Sequence, residues 1–309
     1  MRGDPPKSLN VENSMKRDSY LVFGSPRIEE DEIAEVVDSL RSGWISTGPK
    51  VAKFEDLFRE YAGCQFARAT SSCTAGLHLA MLVAGIRPGD EVITSPLTFA
   101  ATANAILHTG AKPVFVDVDP QTFNIDPSQI PGKITQKTRA ILPVHLTGRP
   151  CAMDDVLQIA KENNLLVIED AAHALEAWYR GRKIGTIGDL GVFSFYVTKN
   201  LTTGEGGMVT TDREDWAEAI EHYALHGLSR GAWKRFSDEG FKHYEVVVPG
   251  FKYNMMDMQA ALGIHQIKKV DRYLQRREEI WRRYDEAFAG EPLDTPPPLE
   301  KDTVHARHL

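Results

Sequence analysis

Short apolar segments alternate with helical patterns between residues 66 and 211. The seven apolar segments read FARAT, EVITSP, PVFVDVD, RAILPVH, LLVIED, GVFSF and GGMVTT. Between most of them lie TAGLHLAMLVAG, FAATANAILHTG and MDDVLQIAKENN, which have helical spacing. Such alternation is typical of an α/β domain whose mostly parallel sheet is covered by helices on both faces. Continuous apolar strands fit this arrangement, because both faces of the sheet are then buried.

Helical patterns also flank the alternating region. RIEEDEIAEVVDSLRSG and VAKFEDLFREYAG predict two helices that stop at Gly43 and Gly63. From Asp212 the pattern becomes helical and charged, and DMQAALGIHQIKKVDRYLQRREEIWRRYDEAFAG predicts one long helix or two with a bend. Residues 1–24 are polar and predict a disordered tail, in which Met15 is a possible start. Residues 25–270 are the predicted large domain.

Composition argues against several classes of protein. The net charge of -7 disfavours a general nucleic-acid binder, whose surface is basic. The sequence has no apolar run long enough for a membrane span, and its amino terminus lacks the apolar core of a signal peptide, so we expect a cytoplasmic location. The three cysteines form no CxxC pair, which supports neither a disulfide framework nor a zinc site.

Three of the apolar segments are followed by residues that can carry chemistry. Ligands of open α/β sheets bind beyond the carboxyl ends of the strands. After FARAT comes SSCTAG, where Ser72 or Thr74 can cap a helix whose first turn can hold a phosphate. After LLVI come Glu169 and Asp170, and an acid there either caps a helix or faces a bound cation. After GVFSF comes Lys199, before a glycine-rich stretch that forms either a tight turn beside a ligand or a plain hairpin.

Together, a phosphate cradle, a carboxylate and a lysine at one edge suit pyridoxal 5'-phosphate. The lysine amine can form a Schiff base with the aldehyde of this cofactor. The carboxylate can pair with the pyridine N–H and keep it protonated. An aromatic side chain is expected to cover one face of the ring. Phe99, after EVITSPLT, is placed for this role, although core packing is an equal alternative.

Several motifs carry a resemblance to a known family. EDAAHALEA, GDLGVFSFYVTKNLTTGEGGMV, GFKYNMMDMQAALG and GWISTGPKVAKFE occur in the order found in the DegT/DnrJ/EryC1/StrS aminotransferase family. The chain resembles this family from about Ser25 to its last residue. The resemblance implies a fold-type-I, pyridoxal-phosphate-dependent transferase with a mostly parallel seven-stranded sheet. Members of the family mostly aminate nucleotide-linked keto sugars.

The resemblance also implies roles for residues around the cofactor ring. Lys199 matches the Schiff-base lysine, and Asp170 matches the acid that faces the pyridine nitrogen. His173 stands where the family has Gln or His near the ring hydroxyl. Phe99 matches the stacking aromatic residue.

Other positions match the family's phosphate ligands. Ser194, five residues before the lysine, matches one of them, and Thr74 with Ala75 matches the phosphate loop. Cys73 replaces a more usual glycine in that loop, which leaves the backbone donors in place. Lys252 occupies a position where many relatives have an asparagine that reaches the phosphate in the partner subunit, so the resemblance implies a homodimer with a shared active site.

The implied reaction is a ping-pong transamination between an amino donor, expected to be glutamate, and a nucleotide-linked keto sugar. The segment LHGLSRGAWKRF is expected to contact the substrate or to be an ordinary surface connection. One alternative is a dehydratase, but relatives of that kind replace the lysine with histidine. The other is a non-catalytic relative without a complete small domain.

The end of the chain, DTPPPLEKDTVHARHL, resembles the start of a small carboxyl-terminal domain in the family. Residues 271–309 are therefore expected to begin such a domain and to be truncated. We expect VHARHL to lack a sheet to join, and we expect the preceding helix to expose its apolar side chains.

Overall fold

Nine strands occur in the part of the chain that the computed structural model describes, residues 19–229 and 245–309. Most of the predicted amino-terminal tail, residues 1–18, lies outside that part. The strands are β1 (Phe66–Thr70), β2 (Glu91–Thr94), β3 (Lys112–Phe115), β4 (Thr138–Leu142), β5 (Leu166–Asp170), β6 (Trp178–Tyr179), β7 (Arg182–Lys183), β8 (Leu190–Ser194) and β9 (Gly207–Thr211). The seven predicted strands are all present, and the short hairpin of β6 and β7 is an addition.

The seven predicted strands form one sheet in the order β1-β9-β8-β5-β4-β2-β3. Neighbouring strands from β3 through β2, β4 and β5 to β8 pair in parallel. Strand β9 is antiparallel to both of its neighbours, β1 and β8. The prediction of a mostly parallel sheet is therefore confirmed. Strand β1 runs in the same direction as β8, so the carboxyl ends of β1, β2, β4, β5 and β8 share one edge.

Helices cover both faces of this sheet. The α-helices of the described residues are α1 (Glu30–Ser42), α2 (Pro49–Ala62), α3 (Cys73–Val83), α4 (Ala100–His108), α5 (Met153–Glu162), α6 (Glu214–Ala224), α7 (Asp257–Gln266) and α8 (Val270–Phe288). Gly43 and Gly63 end the first two helices in the left-handed conformation, as predicted. The predicted long helix is two helices, α7 and α8, with a 3-10 turn between them.

Two hydrophobic clusters form the core, one on each side of the sheet. Side chains along a strand point alternately to opposite faces. Val167 and Phe193 therefore join the cluster beneath α2, α5 and α7, whereas their neighbours Ile168 and Val192 join the cluster beneath α3, α4 and α6. Both faces of the central strands are thus buried, which explains why their sequences are continuously apolar.

Helix α1 buries polar side chains and exposes apolar ones. Glu32 is fully buried, accepts a hydrogen bond from Gln266 Nε2 at 2.9 Å and pairs with Lys269 Nζ at 2.7 Å. Ile33 and Leu40, which mark its helical spacing in the sequence, are exposed. Burial of this carboxylate is tolerated because Gln266 supplies a hydrogen bond and Lys269 supplies a positive charge. The apolar residues of α1 remain available for contact outside this chain.

The end of the chain corrects one expectation. Val304 and Trp178 of β6 exchange two backbone hydrogen bonds, of 2.8 and 3.0 Å, and Ala306 N–H donates to Gly148 O at 2.9 Å. The expectation that VHARHL has no strand to pair with is therefore wrong. The hairpin that receives it is too short to produce a recognisable pattern in the sequence. The second expectation agrees with the structure, because α8 exposes Ile280 and Phe288. The domain division at residues 270 and 271 stays a prediction.

His305 in this terminal segment is a buried, uncharged histidine. Its side chain is 3% exposed and packs on the Trp281 ring, with ring centroids 5.4 Å apart. Its Nδ1 accepts a hydrogen bond from Arg307 N–H at 2.9 Å. Burial lowers the pKa of His305 to about 3, and the positive charges of Arg307 and Arg149 act in the same direction.

We predict that acid destabilises the protein partly through His305. Its pKa is about 6.5 when unfolded, so the unfolded chain binds more protons than the folded chain below that pH. The free energy of unfolding should therefore fall as the pH drops, by about 2 kcal/mol from this residue between about pH 6.5 and about pH 5. The matched variant His305→Asn retains an acceptor for Arg307 N–H but cannot titrate. Urea denaturation at both pH values should show a smaller loss in the variant, and equal losses would contradict the assignment.

Candidate active site

A cavity of about 540 Å³ opens at the carboxyl edge of the sheet. It lies where the loops after β1, β2, β4, β5 and β8 come together. Six of the residues predicted from the sequence line it: Thr74, Phe99, Asp170, His173, Ser194 and Lys199. The structure therefore brings together residues that are up to 125 positions apart in the sequence, as the rule for strand ends requires.

The amino terminus of α3 forms one wall of the cavity. Ser72 caps this helix, and its hydroxyl accepts a hydrogen bond from Ala75 N–H at 3.1 Å. The other N–H groups of the first turn have no acceptor within the helix and are suited to an anion. Gly207 of β9 lies close to the start of α3. Only a glycine fits there, because a Cβ atom would lie 2.6 Å from Cys73 N. Thr74 lines the cavity, whereas Ala75 is buried beside it with its N–H already engaged by the cap.

Asp170 lies at the end of β5 and is only 5% exposed. Its Oδ2 accepts a hydrogen bond from Thr102 Oγ1 at 2.8 Å, and its Oδ1 accepts one from Ala172 N–H at 3.2 Å. Burial raises the pKa of the Asp170 carboxyl, although these hydrogen bonds and the nearby charge of Lys199 act against that shift. A cation in the cavity would stabilise the carboxylate, because a buried charge is less screened than an exposed one.

Two threonines that the sequence reasoning missed support this carboxylate. The Thr102 hydroxyl donates to Asp170, so the hydrogen bond of 2.7 Å between Thr98 and Thr102 must be donated by Thr98. Both threonines line the cavity. Thr102 lies within helix α4, whereas the rule used on the sequence points only to residues that directly follow a strand. The signal available in the sequence was the four-residue spacing of the two threonines, which places them on one side of a helix start.

Glu169, the neighbour of Asp170, has a structural role. Adjacent residues of a strand point to opposite faces, so only Asp170 faces the cavity. Glu169 is fully buried and accepts hydrogen bonds from Ile187 N–H and Gly188 N–H, both at 2.7 Å. Its other oxygen lies 3.1 Å from His145 Nε2. Burial alone would raise the pKa of Glu169, but these donors lower it. The structure thus decides which of the two acids can meet a bound cation.

Lys199 stands in the connection between β8 and β9, five residues after Ser194. Its backbone N–H donates to Tyr196 O at 2.9 Å. Burial lowers the pKa of the Lys199 amine, and the nearby Asp170 carboxylate opposes that shift in part. The amine is therefore closer to its uncharged form at neutral pH than an exposed lysine. Gly204, in the same connection, adopts a φ of +78°. The connection joins the antiparallel strands β8 and β9 as a hairpin and also borders the cavity, so both alternatives for the glycine-rich stretch agree with the structure.

His173 and Phe99 complete the cavity wall. The His173 ring accepts a hydrogen bond at Nδ1 from Thr147 N–H at 3.2 Å, so the neutral ring carries its proton on Nε2. Burial lowers the pKa of His173 to about 4, and the charge of Lys199 adds to this effect. Phe99 is 77% exposed at the start of α4, which excludes the alternative that it is a core residue.

Another predicted site residue does not line this cavity in a single chain, and one predicted segment lies mostly outside the described residues. Lys252 is exposed and does not line it. The segment LHGLSRGAWKRF spans residues 225–236, and residues 230–244 lie outside the part that the structure describes. The predicted roles of both stay predictions.

The residues of the cavity fit pyridoxal phosphate. The free donors of α3 and the hydroxyls of Thr74 and Ser194 suit a phosphate, and the buried Asp170 suits a protonated pyridine nitrogen. Lys199 offers an amine of lowered pKa for the aldehyde. Within residues 19–229 and 245–309, no group of three or more His, Cys, Asp or Glu side chains is arranged to hold a metal ion. None of the helices in those ranges is both long and apolar enough to cross a membrane.

Comparison with known proteins gives a consistent result. Residues 26–309 match the DegT/DnrJ/EryC1/StrS aminotransferase family. The chain is 56% identical over 296 residues to the uncharacterized protein MJ1066 of Methanocaldococcus jannaschii, covering 96% of this chain and 76% of that protein. It is 52% identical over 294 residues to the spore coat polysaccharide biosynthesis protein SpsC of Bacillus subtilis, covering 95% of this chain and 76% of SpsC.

Solved structures show the same architecture. The PLP form of the putative sugar aminotransferase Spr1654 from Streptococcus pneumoniae superimposes with a TM-score of 0.86 at 36% identity, covering 93% of this chain and 76% of that one. PseC of Helicobacter pylori, an aminotransferase involved in the biosynthesis of pseudoaminic acid, gives a TM-score of 0.85 at 29% identity, covering 93% and 76%. The chain therefore belongs to the DegT/DnrJ/EryC1/StrS aminotransferase family of pyridoxal-phosphate-dependent enzymes.

Proposed function

We propose that this aminotransferase moves an amino group from glutamate to a nucleotide-linked keto sugar, in the biosynthesis of a cell-surface polysaccharide or a secondary-metabolite sugar. The observation that carries the proposal is the convergence of Lys199, Asp170 and the first turn of α3 on one cavity. The names of Spr1654, PseC and SpsC, which refer to sugar amination or to polysaccharide, support the substrate class. The direct test is to incubate the protein with glutamate and a panel of nucleotide-linked 4-keto and 3-keto sugars, and to measure 2-oxoglutarate release.

Lys199 has the role of moving a proton. When bound, pyridoxal phosphate supplies an aldehyde that carries the amino group between substrates and a ring that withdraws electrons from the reacting carbon. Lys199 Nζ must be uncharged to accept a proton, and burial lowers its pKa in the required direction. Because the same amine can return the proton to a different atom, one lysine serves as base and as acid.

Asp170 has the role of holding the pyridine nitrogen in its protonated form. The carboxylate is fixed at both oxygens, by Thr102 and by Ala172, so its orientation does not need to change when a ligand enters. Preorganised charges of this kind stabilise developing charge without reorganisation. His173 offers its Nε2–H to the ring hydroxyl, and the exposed face of Phe99 is available for stacking.

Replacing Lys199 should stop amino transfer. We predict that Lys199→Ala and Lys199→Arg both lose at least about 10²-fold in kcat, because neither side chain can accept and return a proton at neutral pH. Lys161→Ala, which removes an exposed lysine of α5, is the matched control and should keep wild-type turnover. Release of 2-oxoglutarate measures both. Full turnover by the alanine variant would show that another group moves the proton.

Replacing Asp170 should weaken the reaction without emptying the site. Asp170→Asn keeps the shape and an acceptor for Thr102 but removes the negative charge, and we predict a loss of roughly 10²-fold or more in kcat. Thr102→Val removes only one hydrogen bond to the carboxylate, so it should cost about 2- to 10-fold. We therefore expect Asp170→Asn to lose more activity than Thr102→Val. A wild-type kcat in Asp170→Asn would show that Asp170 only caps the local backbone and does not act on the cofactor.

A homodimer with a shared active site is part of the proposal. Lys252 is exposed and does not line the cavity of its own chain, so its side chain is available to a second subunit. Several apolar side chains between residues 20 and 40 are exposed, and exposed apolar surface often marks an interface between proteins when it is contiguous. They include Tyr20, Leu21, Val22, Phe23, Ile33 and Leu40.

Mixing two inactive variants tests the shared site. We predict that Lys199→Ala and Lys252→Ala subunits, mixed in equal amounts, recover about a quarter of wild-type activity. Half of the random dimers are then mixed, and each mixed dimer has one intact site of two. Lys199→Ala mixed with Asp170→Asn is the control, because both changes damage the site of their own chain. Absence of recovery in mixed dimers, or full activity of Lys252→Ala alone, would argue against sharing.

A further inference from the structure

The last residues of the chain form part of the cavity wall. His308 and Leu309 line the cavity, although the proposed roles of Lys199, Asp170 and His173 do not involve them. The segment is held by the hydrogen bond from Ala306 N–H to Gly148 O and by another from His308 N–H to Thr147 O at 3.0 Å. His308 is therefore placed by backbone contacts, and its side chain faces a site where chemistry takes place.

Asn200, which follows Lys199 directly, determines which nitrogen of His308 carries the proton. The Asn200 amide Nδ2 donates to Glu176 Oε2 at 2.7 Å and to Ala306 O at 3.2 Å. Both of these partners can only accept, so the amide cannot be flipped. Its Oδ1 therefore faces His308 Nδ1 at 2.8 Å, and Nδ1 must donate the hydrogen bond. The neutral His308 ring thus carries its proton on Nδ1 and a lone pair on Nε2.

A buried ion pair holds Asn200 in this orientation. Glu176 is 1% exposed and pairs with Arg277 of α8 through Oε1, which leaves Oε2 for Asn200. The Arg277 Nε–H also donates to Ala306 O at 3.2 Å. A buried carboxylate without partners would be strongly unfavourable, so these contacts constrain one another. A continuous chain of hydrogen bonds therefore runs from α8 to the cavity wall.

The two histidines of the wall have opposite hydrogen-bonding character. Their rings lie 4.4 Å apart between centroids, tilted by 39°. Burial lowers the pKa of His308 to about 2, helped by the charges of Lys199 and Arg277, so the ring is uncharged at neutral pH. His173 has Nε2–H to donate, whereas His308 Nε2 can only accept. His308 Nε2 has no hydrogen-bond partner among the residues that the structure describes.

We propose that His308 contacts the sugar substrate and accepts a hydrogen bond from one of its hydroxyl groups, and that Asn200, Glu176 and Arg277 are positioning residues for this contact. The inference rests on the proposed function. The groups of the cofactor already have partners in Thr74, Ser194, Asp170 and His173. A lone pair binds an O–H donor but repels a carboxylate, so His308 favours the sugar over glutamate.

Two variants of His308 separate its two nitrogens. In His308→Asn the amide nitrogen takes the position of Nδ1 and keeps the contact with Asn200, but nothing replaces Nε2. In His308→Gln the longer side chain places an acceptor near the position of Nε2. We expect His308→Asn to raise the KM for the keto sugar by about 3- to 10-fold, the effect of one hydrogen bond. His308→Gln should raise it less.

The amino-donor half of the reaction is the internal control. Mixing the protein with glutamate alone and following the cofactor absorbance should give wild-type rates in both variants, which also shows that they fold and bind the cofactor. Asn200→Ala should raise the sugar KM as His308→Asn does, and should add nothing in the His308→Asn background. Additive effects would overturn the positioning role.

The outcomes distinguish this inference from the proposed function. If the wild type aminates a keto sugar and His308→Asn has an unchanged KM for it, the inference fails and the proposed function stands. If His308→Asn slows the glutamate half-reaction as much as the full reaction, His308 has a general structural role and the inference again fails. If the wild type aminates no keto sugar of the panel, both fail.

Discussion

Burial of the Asp170 carboxylate is the constraint on which the site depends. A negative charge at the end of a central strand is unfavourable unless donors or a cation meet it. The chain provides Thr102 and the Ala172 N–H as donors, and it leaves the remaining side of the carboxylate facing a cavity. The cofactor of the family has a ring nitrogen that is protonated when it acts as an electron sink. In the role proposed for Asp170, one contact would satisfy both the energetic demand of the protein and the chemical demand of the cofactor.

Side chains of a strand alternate between the two faces of the sheet, and this alternation separates cavity-facing residues from structural ones. Glu169 and Asp170 are adjacent acids in different settings, since Glu169 ties the loop at residues 187 and 188 to the sheet and Asp170 faces the cavity. The same alternation divides the core into two clusters. A one-residue shift of β5 would exchange the two acids and disrupt both the loop and the site, so the register of this strand is under a double constraint.

The sequence predicted the parts of the molecule that follow from periodicity and from strand ends. The seven strands, the glycine stops at Gly43 and Gly63, and the convergence of Asp170 and Lys199 all belong to that class. What it missed depends on contacts between distant segments. Thr102 lies on a helix, and Val304 pairs with a hairpin too short to have a pattern. Helix α1 can bury Glu32 because this residue pairs with Lys269, which is more than 200 residues away in the chain. The proton position on His308 requires three hydrogen bonds that only coordinates reveal.

The hairpin of β8 and β9 has a consequence for how the lysine can move. Ser194 pairs with Gly207, and Phe195 N–H donates to Gly206 O at 2.9 Å, so both ends of the lysine loop are fixed in the middle of the sheet. Separation of these strands would require the sheet to open, and regions of that kind open only at a free energy close to that of global unfolding. The amide protons at the two ends of the loop are therefore expected to exchange slowly, whereas the Lys199 amide has only a local hydrogen bond to Tyr196 O. The reactive amine thus extends from a short loop whose two ends are anchored in the core.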